Sequence, residues 1–339
     1  MLEHIVVVLD QGAVSFCHYE PSAPAAGVSG LMSPELLASV VDYAPENDLD
    51  LNVLFGRQPV PPEYLRVLDR ISHVKIVPYE LQGAYPDAIL VLDWEGTAGG
   101  NPADRRWDGH IENLIVRLSR HRLKDLRLIL RTFNERAKRI GIVLADAALL
   151  TEADVLEYEH QLAAILPLVA EWYLEGHPLE LSCLSDRLLL AAMNNCDAGL
   201  RHVTFAPDGR FHICPGFYYH HPRMSIGSPS AGIRVPNPEL LRLDRAPICS
   251  RCDAYQCRRC VYLNKTLTGE LNTPSRQQCV TAHLERNASR RLLRRLRPYI
   301  ENSDEVPDIP EIDYLDPLDV LWPQPPHERI RLYRTERGA

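Results

Sequence analysis

The chain has 339 residues, 45% of them apolar and 24% charged, and its formal net charge at pH 7 is −8. This length allows a substantial core in two domains, and the negative net charge argues against a general nucleic-acid-binding protein. No run of roughly eighteen apolar residues occurs, so the sequence predicts no membrane-spanning helix.

The first half of the chain alternates short apolar, β-branched runs with segments that carry helix-start signals. Residues 4–9 read His-Ile-Val-Val-Val-Leu and predict a buried strand. Ser33 and Pro34 supply a cap and a first-turn proline, which predict a helix through about Ala44. Further strands are predicted over 51–55, 74–77, 88–92, 126–130 and 179–183, and helices over 62–71, 108–120 and 152–174. This alternation of about six strands with helices is typical of an α/β protein with a parallel sheet or barrel.

Seven of the nine cysteines fall between Cys196 and Cys279. In order they are Cys196, Cys214, Cys249, Cys252, Cys257, Cys260 and Cys279. Thiolates are soft ligands, and short gaps between them allow several to bind one centre. The sequence therefore predicts a metal or cluster site in the last third of the chain.

Three kinds of cysteine site are compatible with such a group. The two pairs Cys249-x2-Cys252 and Cys257-x2-Cys260 could hold zinc, although zinc ribbons usually place a longer loop between their pairs. Disulfides suit small secreted domains, whereas the start of this chain has no secretion signal and the unpaired thiols favour a reducing cytoplasm. A [4Fe–4S] cluster needs four thiolates, so seven cysteines would give one complete set and one set of three.

The spacing of these cysteines resembles one known domain. It runs Cys196-x12-Gly209-x4-Cys214, then Cys249-x2-Cys252-x4-Cys257-x2-Cys260, then Cys279. This is similar to the SPASM domain, the auxiliary-cluster domain at the C-terminal end of many radical SAM peptide-modifying enzymes. The first part fits that pattern, and residues 204–214 predict its hairpin with a Pro-Asp-Gly turn. The second part is one residue short in each of two gaps.

The resemblance implies ligand sets and a domain plan. Cys196, Cys214 and Cys260 would hold cluster I, and a second set would hold cluster II: Cys249, Cys252, Cys257 and Cys279. Residues 1–190 would form a degenerate radical SAM-like partial (β/α)6 barrel, 191–300 the SPASM-like domain, and 301–339 an acidic, proline-rich tail. The cofactors implied are one or two [4Fe–4S] clusters, with zinc as the alternative.

Radical SAM barrels carry Cys-x3-Cys-x-aromatic-Cys in the loop after their first strand. The corresponding loop has Asp10 and Val14 at the first two cysteine positions, and only Phe16 and Cys17 fit the motif. One thiolate cannot hold the cluster that cleaves SAM, so Cys17 is predicted to be a remnant and SAM binding is left open. The turn Gly56-Arg-Gln-Pro resembles the Gly-Gly-Glu-Pro turn that such enzymes place against SAM.

Two stretches, 14–20 and 195–199, are similar to the CXXX-repeat peptide maturases, a branch of this superfamily. That resemblance implies maturation of a ribosomally made precursor peptide, without nucleic acid or membrane as a partner. Alternatives are a non-catalytic peptide-binding or electron-relay partner of a complete maturation enzyme, and a zinc-stabilised binding module. Whether the chain is itself an enzyme is left open.

Other residues near the cysteines have less specific interpretations. His212, His220 or His221 could supply a fourth ligand to the three-thiolate cluster, although surface and packing roles are the simpler expectation. Cys183 ends an apolar run and is predicted to pack as a small hydrophobe. The helical pattern over 283–296 has a basic face that could bind an acidic partner or the chain's own acidic tail.

Overall fold

The structure is a computed structural model that describes residues 2–21, 30–94, 109–301 and 306–318. Its described residues form one eleven-stranded sheet in the order β11-β10-β9-β8-β1-β2-β3-β4-β5-β6-β7. The strands are β1 His4–Val8, β2 Asp50–Leu54, β3 His73–Pro78, β4 Ile89–Asp93, β5 Ile111–Leu118, β6 Ala137–Leu144, β7 Glu180–Leu181, β8 His202–Phe205, β9 Phe211–His212, β10 Gly227–Ser228 and β11 Gly232–Ile233. The helices are α1 Pro34–Glu46, α2 Pro62–Leu68, α3 Leu126–Phe133, α4 Glu152–Leu174, α5 Asp186–Leu189, α6 Pro215–His220, α7 Val261–Thr268 and α8 Arg276–Leu296.

Strands β1 to β7 pair in parallel with their neighbours in chain order, and β8 pairs in parallel with the other edge of β1. The α/β class and the predominantly parallel sheet predicted from the sequence are therefore confirmed. Helix α1 begins at its predicted cap, and α4 covers the predicted residues 152–174. Ser33 accepts a hydrogen bond from the Leu36 amide, and Thr151 and Asp154 form a reciprocal capping box.

The predicted helix over 108–120 is wrong, because residues 111–118 form β5. Ile111, Leu114 and Leu118 repeat at a spacing that also suits a helix, which explains the error. The β-branched Ile115 and Val116 favour a strand, and pairing on both sides with β4 and β6 fixes it. Residue 108 itself lies outside the described residues.

The predicted strand over 126–130 is also wrong. The segment is α3, in which Leu126, Ile129, Leu130 and Phe133 are fully buried at helical spacing. The sequence prediction missed β6 as well, because Lys138, Arg139 and Gly141 interrupt its apolar residues. The remaining predicted strands and helices of the first half are present, with ends displaced by a few residues.

The two faces of the sheet carry different layers. Ile5 and Val7 of β1 point into the main core, which includes apolar residues of α1, α2, α3, α4 and α8. Val6 and Val8 point to the opposite face, where they meet Val14 from the loop after β1 and Tyr218 from α6. Side chains alternate along a strand, so this loop and α6 cover one face of the parallel sheet while the long helices cover the other.

The predicted hairpin is present as β8 and β9, which pair antiparallel. Its turn closes with the Gly209 amide donating to the Ala206 carbonyl at 2.9 Å, and Gly209 has a positive φ of 74° that favours glycine. The cysteine-rich part thus continues the same sheet through β8 to β11. The proposed domain limits remain predictions.

Helix α8 packs on α4 and is crossed by the segment 306–318. Arg290 bonds the Ile309 carbonyl and Glu311, and Arg286 bonds the Pro310 carbonyl. The basic helix therefore binds residues 306–318 of the chain's own acidic tail, a segment called the strap below. Within the described ranges, none of the helices has both the length and the apolar character that crossing a membrane requires.

Candidate cysteine-rich site

Four of the predicted ligand cysteines line one cavity of about 180 Å³. They are Cys249, Cys252, Cys257 and Cys279. The first two lie in and just after the short turn Cys249–Arg251, and Cys279 lies in the first turns of α8. Apolar side chains such as Met193, Ile248 and Pro274 complete much of the wall. The set of thiols that the SPASM resemblance assigns to cluster II is therefore brought together by the fold.

All nine cysteines are free thiols. In the described part of the chain, no three His, Cys, Asp or Glu side chains are close enough together to hold a single metal ion. In a [4Fe–4S] cluster each thiolate binds a different iron atom, so the sulfurs need not converge on one point. The cavity is compatible with such a group.

Burial controls the acidity of these thiols. It raises the pKa of Cys249 to about 11, and it raises the pKa of Cys257 well above its ordinary value. The charges of Cys252, Cys249 and Cys279 raise the pKa of Cys257 further. Several thiolates in one buried site thus repel one another, and iron would offset that cost because its positive charge favours the deprotonated form.

A histidine and the strap also border this cavity. The Cys252 Sγ atom is 3.4 Å from Nε2 of His283, and Nδ1 of the same ring bonds the Leu315 carbonyl. Tyr314 and Pro317 of the strap lie in the cavity wall. The strap, which is part of the acidic tail recognised from composition, therefore forms one side of this cavity.

The remaining three predicted ligands form a second group. Cys196, Cys214 and Cys260 pack with an apolar set that includes Tyr19, Phe217 and Tyr262. Cys260 is the N-cap residue of α7, where its sulfur accepts a hydrogen bond from the Leu263 amide at 3.4 Å. The sulfur of Cys214, at the start of α6, is approached by the backbone amides of residues 216 and 217. Amide groups directed at sulfur atoms are typical of cluster sites, where they help set the reduction potential.

Cys17 lies beside this second group of cysteines. The sequence did not predict this position of Cys17. Cys17 packs against the same apolar set, and its charge acts on those of Cys196, Cys214 and Cys260. Burial, with a further contribution from Cys196, raises the pKa of Cys17 to about 12. The loop that follows β1 therefore brings a fourth thiol to the three from the C-terminal part.

The three histidines considered as ligands occupy other places. His212 is fully buried, with Nε2 at 3.0 Å from an Asp208 oxygen and its ring against Tyr218. His220 is exposed and its ring meets the edge of Tyr262, while His221 is also exposed. His212 is thus committed to a carboxylate partner of its own hairpin.

Arg259 is buried next to both cysteine groups. Its side chain is 1% exposed, and the charges of Cys249, Asp197, Cys196 and Cys260 all act on it. Its acceptors are the carbonyls of residues 241 and 271 and the amide oxygens of Asn195 and Asn272. Among the described residues, its buried Nε has no hydrogen-bond partner. A buried cation bonded only to neutral acceptors fits the negative charge that four thiolates give an iron–sulfur cluster.

The residues at the radical SAM motif do not fit a SAM-cleaving cluster. Asp10 uses its Oδ1 atom to accept a hydrogen bond from the Gly12 amide at 2.6 Å, and Val14 is 4% exposed within the apolar layer. A Cβ atom on Gly56 would lie 3.1 Å from the Asp10 side chain, so the two remnant turns are in contact. Two of the three thiolate positions are thus filled by a turn-capping carboxylate and a packed valine.

A charged group at the carboxyl ends of the parallel strands was missed by sequence reasoning. Asp93, at the end of β4, bonds Arg57 at 2.8 Å and Arg117 of β5 at 2.7 Å. Arg117 is 5% exposed and also bonds Glu20. Ligands of open α/β sheets bind at this edge. These four residues lie far apart in the sequence, so no motif marks them. Only Arg117, a charged residue in a largely apolar strand, stands out in the sequence.

No family model and no curated protein matches the sequence. Solved structures do match the fold. The structure entitled "Native anSMEcpe with bound AdoMet and Cp18Cys peptide" has a TM-score of 0.58 at 12% identity, covering 87% of this chain and 99% of that chain. The structure entitled "Native anSMEcpe with bound AdoMet and Kp18Cys peptide" has a TM-score of 0.59 at 13% identity, with the same two coverages of 87% and 99%. That protein is a SPASM-domain radical SAM peptide maturase. The similarity confirms an α/β fold with a large, mostly parallel sheet, while the SPASM-like domain remains a prediction.

Proposed function

We propose that this chain is an iron–sulfur protein that acts in the maturation of a ribosomally synthesised peptide. The observation that carries the proposal is the cavity lined by Cys249, Cys252, Cys257 and Cys279, in a chain with the fold of a protein solved with a bound peptide. The clustering of the remaining predicted ligands, Cys196, Cys214 and Cys260, supports it further.

The two cysteine groups would each hold a [4Fe–4S] cluster. When bound, such clusters supply one-electron transfer, or Lewis acidity at an iron atom that lacks a protein ligand. The chain's own residues provide the environment. The apolar walls limit water, the backbone amides of residues 216 and 217 approach the sulfur of Cys214, and Arg259 places a positive charge next to both groups.

The carboxyl edge of the sheet offers a place for a peptide. Arg117 is held by two carboxylates, Asp93 and Glu20, and Arg57 joins the same network. This arrangement presents fixed charges of both signs, which suit the backbone and polar side chains of an extended peptide. Its position at the ends of β4 and β5 agrees with the general location of ligand sites in parallel sheets.

A second candidate function is a non-catalytic partner that binds the peptide or relays electrons for a complete radical SAM enzyme. The specific observation that favours it is the filled motif, in which Asp10 caps a turn and Val14 is packed. A catalytic role would have to proceed without the cluster that cleaves SAM.

Co-expression with a precursor peptide encoded beside the gene, followed by mass spectrometry of the peptide, tests the proposal. A mass shift with this chain alone supports a catalyst. A shift that requires both this chain and a complete radical SAM enzyme supports the partner role. An unmodified peptide in both arms, together with no binding between peptide and chain, would contradict a role in peptide maturation.

Metal analysis separates both candidates from a zinc-stabilised binding module. Protein purified without oxygen should contain iron and acid-labile sulfide, whereas a colourless protein with one zinc would overturn the cluster assignment. Titration with SAM, followed by calorimetry, then tests whether the altered barrel still binds that molecule.

A further inference from the structure

The loop between β1 and α1 holds Cys17 in a defined position. Ser15 Oγ lies within hydrogen-bonding distance of the Cys17 carbonyl at 3.0 Å and of the Tyr19 carbonyl at 2.6 Å. The hydroxyl of Tyr19, which is 1% exposed, donates to the Val14 carbonyl at 3.1 Å. Its ring stacks on Tyr219 with 5.6 Å between centroids. These contacts hold residues 14–19 in a compact turn.

This turn places Cys17 beside the C-terminal cysteines. Cys17 shares its apolar surroundings with Cys196, Cys214 and Cys260, whose charges all interact with its own. At the radical SAM motif itself, the other two positions are Asp10 and Val14, which supply no thiolate. The backbone amides of residues 18 and 19 approach its sulfur, as other amides approach that of Cys214.

The alternative fourth ligands lie elsewhere. His212 is bonded to Asp208 within its own hairpin, and His220 packs on the outer side of Tyr262 with an exposed side chain. Cys183 lies in the main core, beside Tyr158 and Glu285. In the described part of the chain, Cys17 is the thiol grouped with the incomplete set.

We propose that Cys17 is the fourth ligand of cluster I, completing a four-thiolate set with Cys196, Cys214 and Cys260. The inference rests on the proposed function only in requiring that the chain binds iron–sulfur clusters. A cysteine at the radical SAM motif would then serve an auxiliary cluster. Each iron atom of cluster I would have a thiolate, so this cluster would transfer electrons or stabilise the fold and would not bind substrate directly.

Iron and sulfide analysis of wild type and two variants tests the proposal. Wild type purified without oxygen should contain about eight iron atoms per chain. Cys17→Ala should lose about four, or about one if the site converts to a three-iron cluster with its own electron paramagnetic resonance signal. Cys183→Ala, the matched control, removes a buried thiol outside both groups and should keep the wild-type iron content and spectrum.

A second variant guards against misfolding of Cys17→Ala. Cys17→Ser keeps the size of the side chain and replaces the sulfur ligand by oxygen, so it should alter the spectrum of one cluster while leaving the other unchanged. Wild-type iron content and spectra in both Cys17 variants would overturn the assignment of Cys17 and leave cluster binding intact. Absence of iron from the wild type would instead contradict cluster binding itself.

Discussion

Cys252 shows what a single thiol contributes at the residue scale. Its sulfur lines the cavity of the complete four-cysteine set and lies 3.4 Å from His283. Removing one ligand leaves three buried thiols around a cluster that needs four. We expect Cys252→Ala to lose about half of the iron and of the visible absorbance, and to be less soluble. Cys183→Ala should leave both unchanged, and equal spectra for the two variants would contradict the ligand assignment.

Arg259 allows a test of how a buried positive charge affects the reduction potential of a nearby cluster. Removing a buried positive charge makes a nearby cluster harder to reduce, by an amount on the order of tens of millivolts. We therefore expect Arg259→Gln to shift at least one reduction potential to more negative values in protein-film voltammetry. Arg127→Gln is the control, because this exposed arginine lies on α3, outside both cysteine groups. A shift of the same size in both variants would indicate a long-range effect of net charge only.

The sequence predicted seven of these thiols because their short spacing restricts the chemistry they can perform. It did not predict the place of Cys17, which is separated from Cys196 by most of the parallel sheet, since chain spacing carries no information about that contact. Arg259 was missed for a different reason: it stands next to Arg258, and the two look alike until burial distinguishes them.

At the scale of elements, α8 carries both a cysteine of the site and the contact to α4. The hydroxyl of Tyr158 donates to Glu285 at 2.7 Å across this helix pair, and burial raises the pKa of Glu285 from 4.5 to about 7. The folded chain therefore prefers the protonated carboxyl, and the free energy of unfolding should fall as pH rises from about 4.5 to about 7.

Glu285→Gln should remove this pH dependence. In urea unfolding without oxygen, we expect the variant to gain about 1–2 kcal/mol relative to wild type between about pH 5.5 and about pH 7.5. Glu171→Gln on the exposed face of α4 is the control and should follow wild type. A constant difference between Glu285→Gln and wild type across this range would contradict a buried carboxyl with a raised pKa.

The strap 306–318 is the second element that the site depends on. It supplies Tyr314 and Pro317 to the cavity wall and a carbonyl to His283. A chain ending after residue 305 should lose about half of its iron to a chelator several-fold faster than wild type, because the cavity of cluster II is opened. A chain ending after residue 318 keeps the strap and should behave as wild type. Equal rates for the two truncations would show that the strap does not protect the cluster.

The elements of the fold were predictable where local signals and tertiary context agree. The cap of α1 and the turn of the β8–β9 hairpin are local, and they were predicted correctly, as were the bounds of α4. The exchange of helix and strand at β5 and α3 arose because short apolar runs suit either structure until neighbouring strands pair with them. The strand β6 carries charged residues that reach solvent from the sheet, so its pattern was weak.

At the scale of the whole molecule, the chain combines a parallel sheet with a cysteine-rich part that continues the same sheet. The loop after β1, which in a radical SAM enzyme would hold the SAM-cleaving cluster, packs Val14 against the sheet and directs Cys17 to the C-terminal thiols. This arrangement connects the two halves of the chain at the cysteine site.

Chemical analysis of iron and acid-labile sulfide in the wild-type chain, purified without oxygen, tests the central claim most directly. Two four-thiolate sites predict about eight iron and about eight sulfide per chain in a coloured protein. A colourless protein that contains zinc and no sulfide would contradict the account.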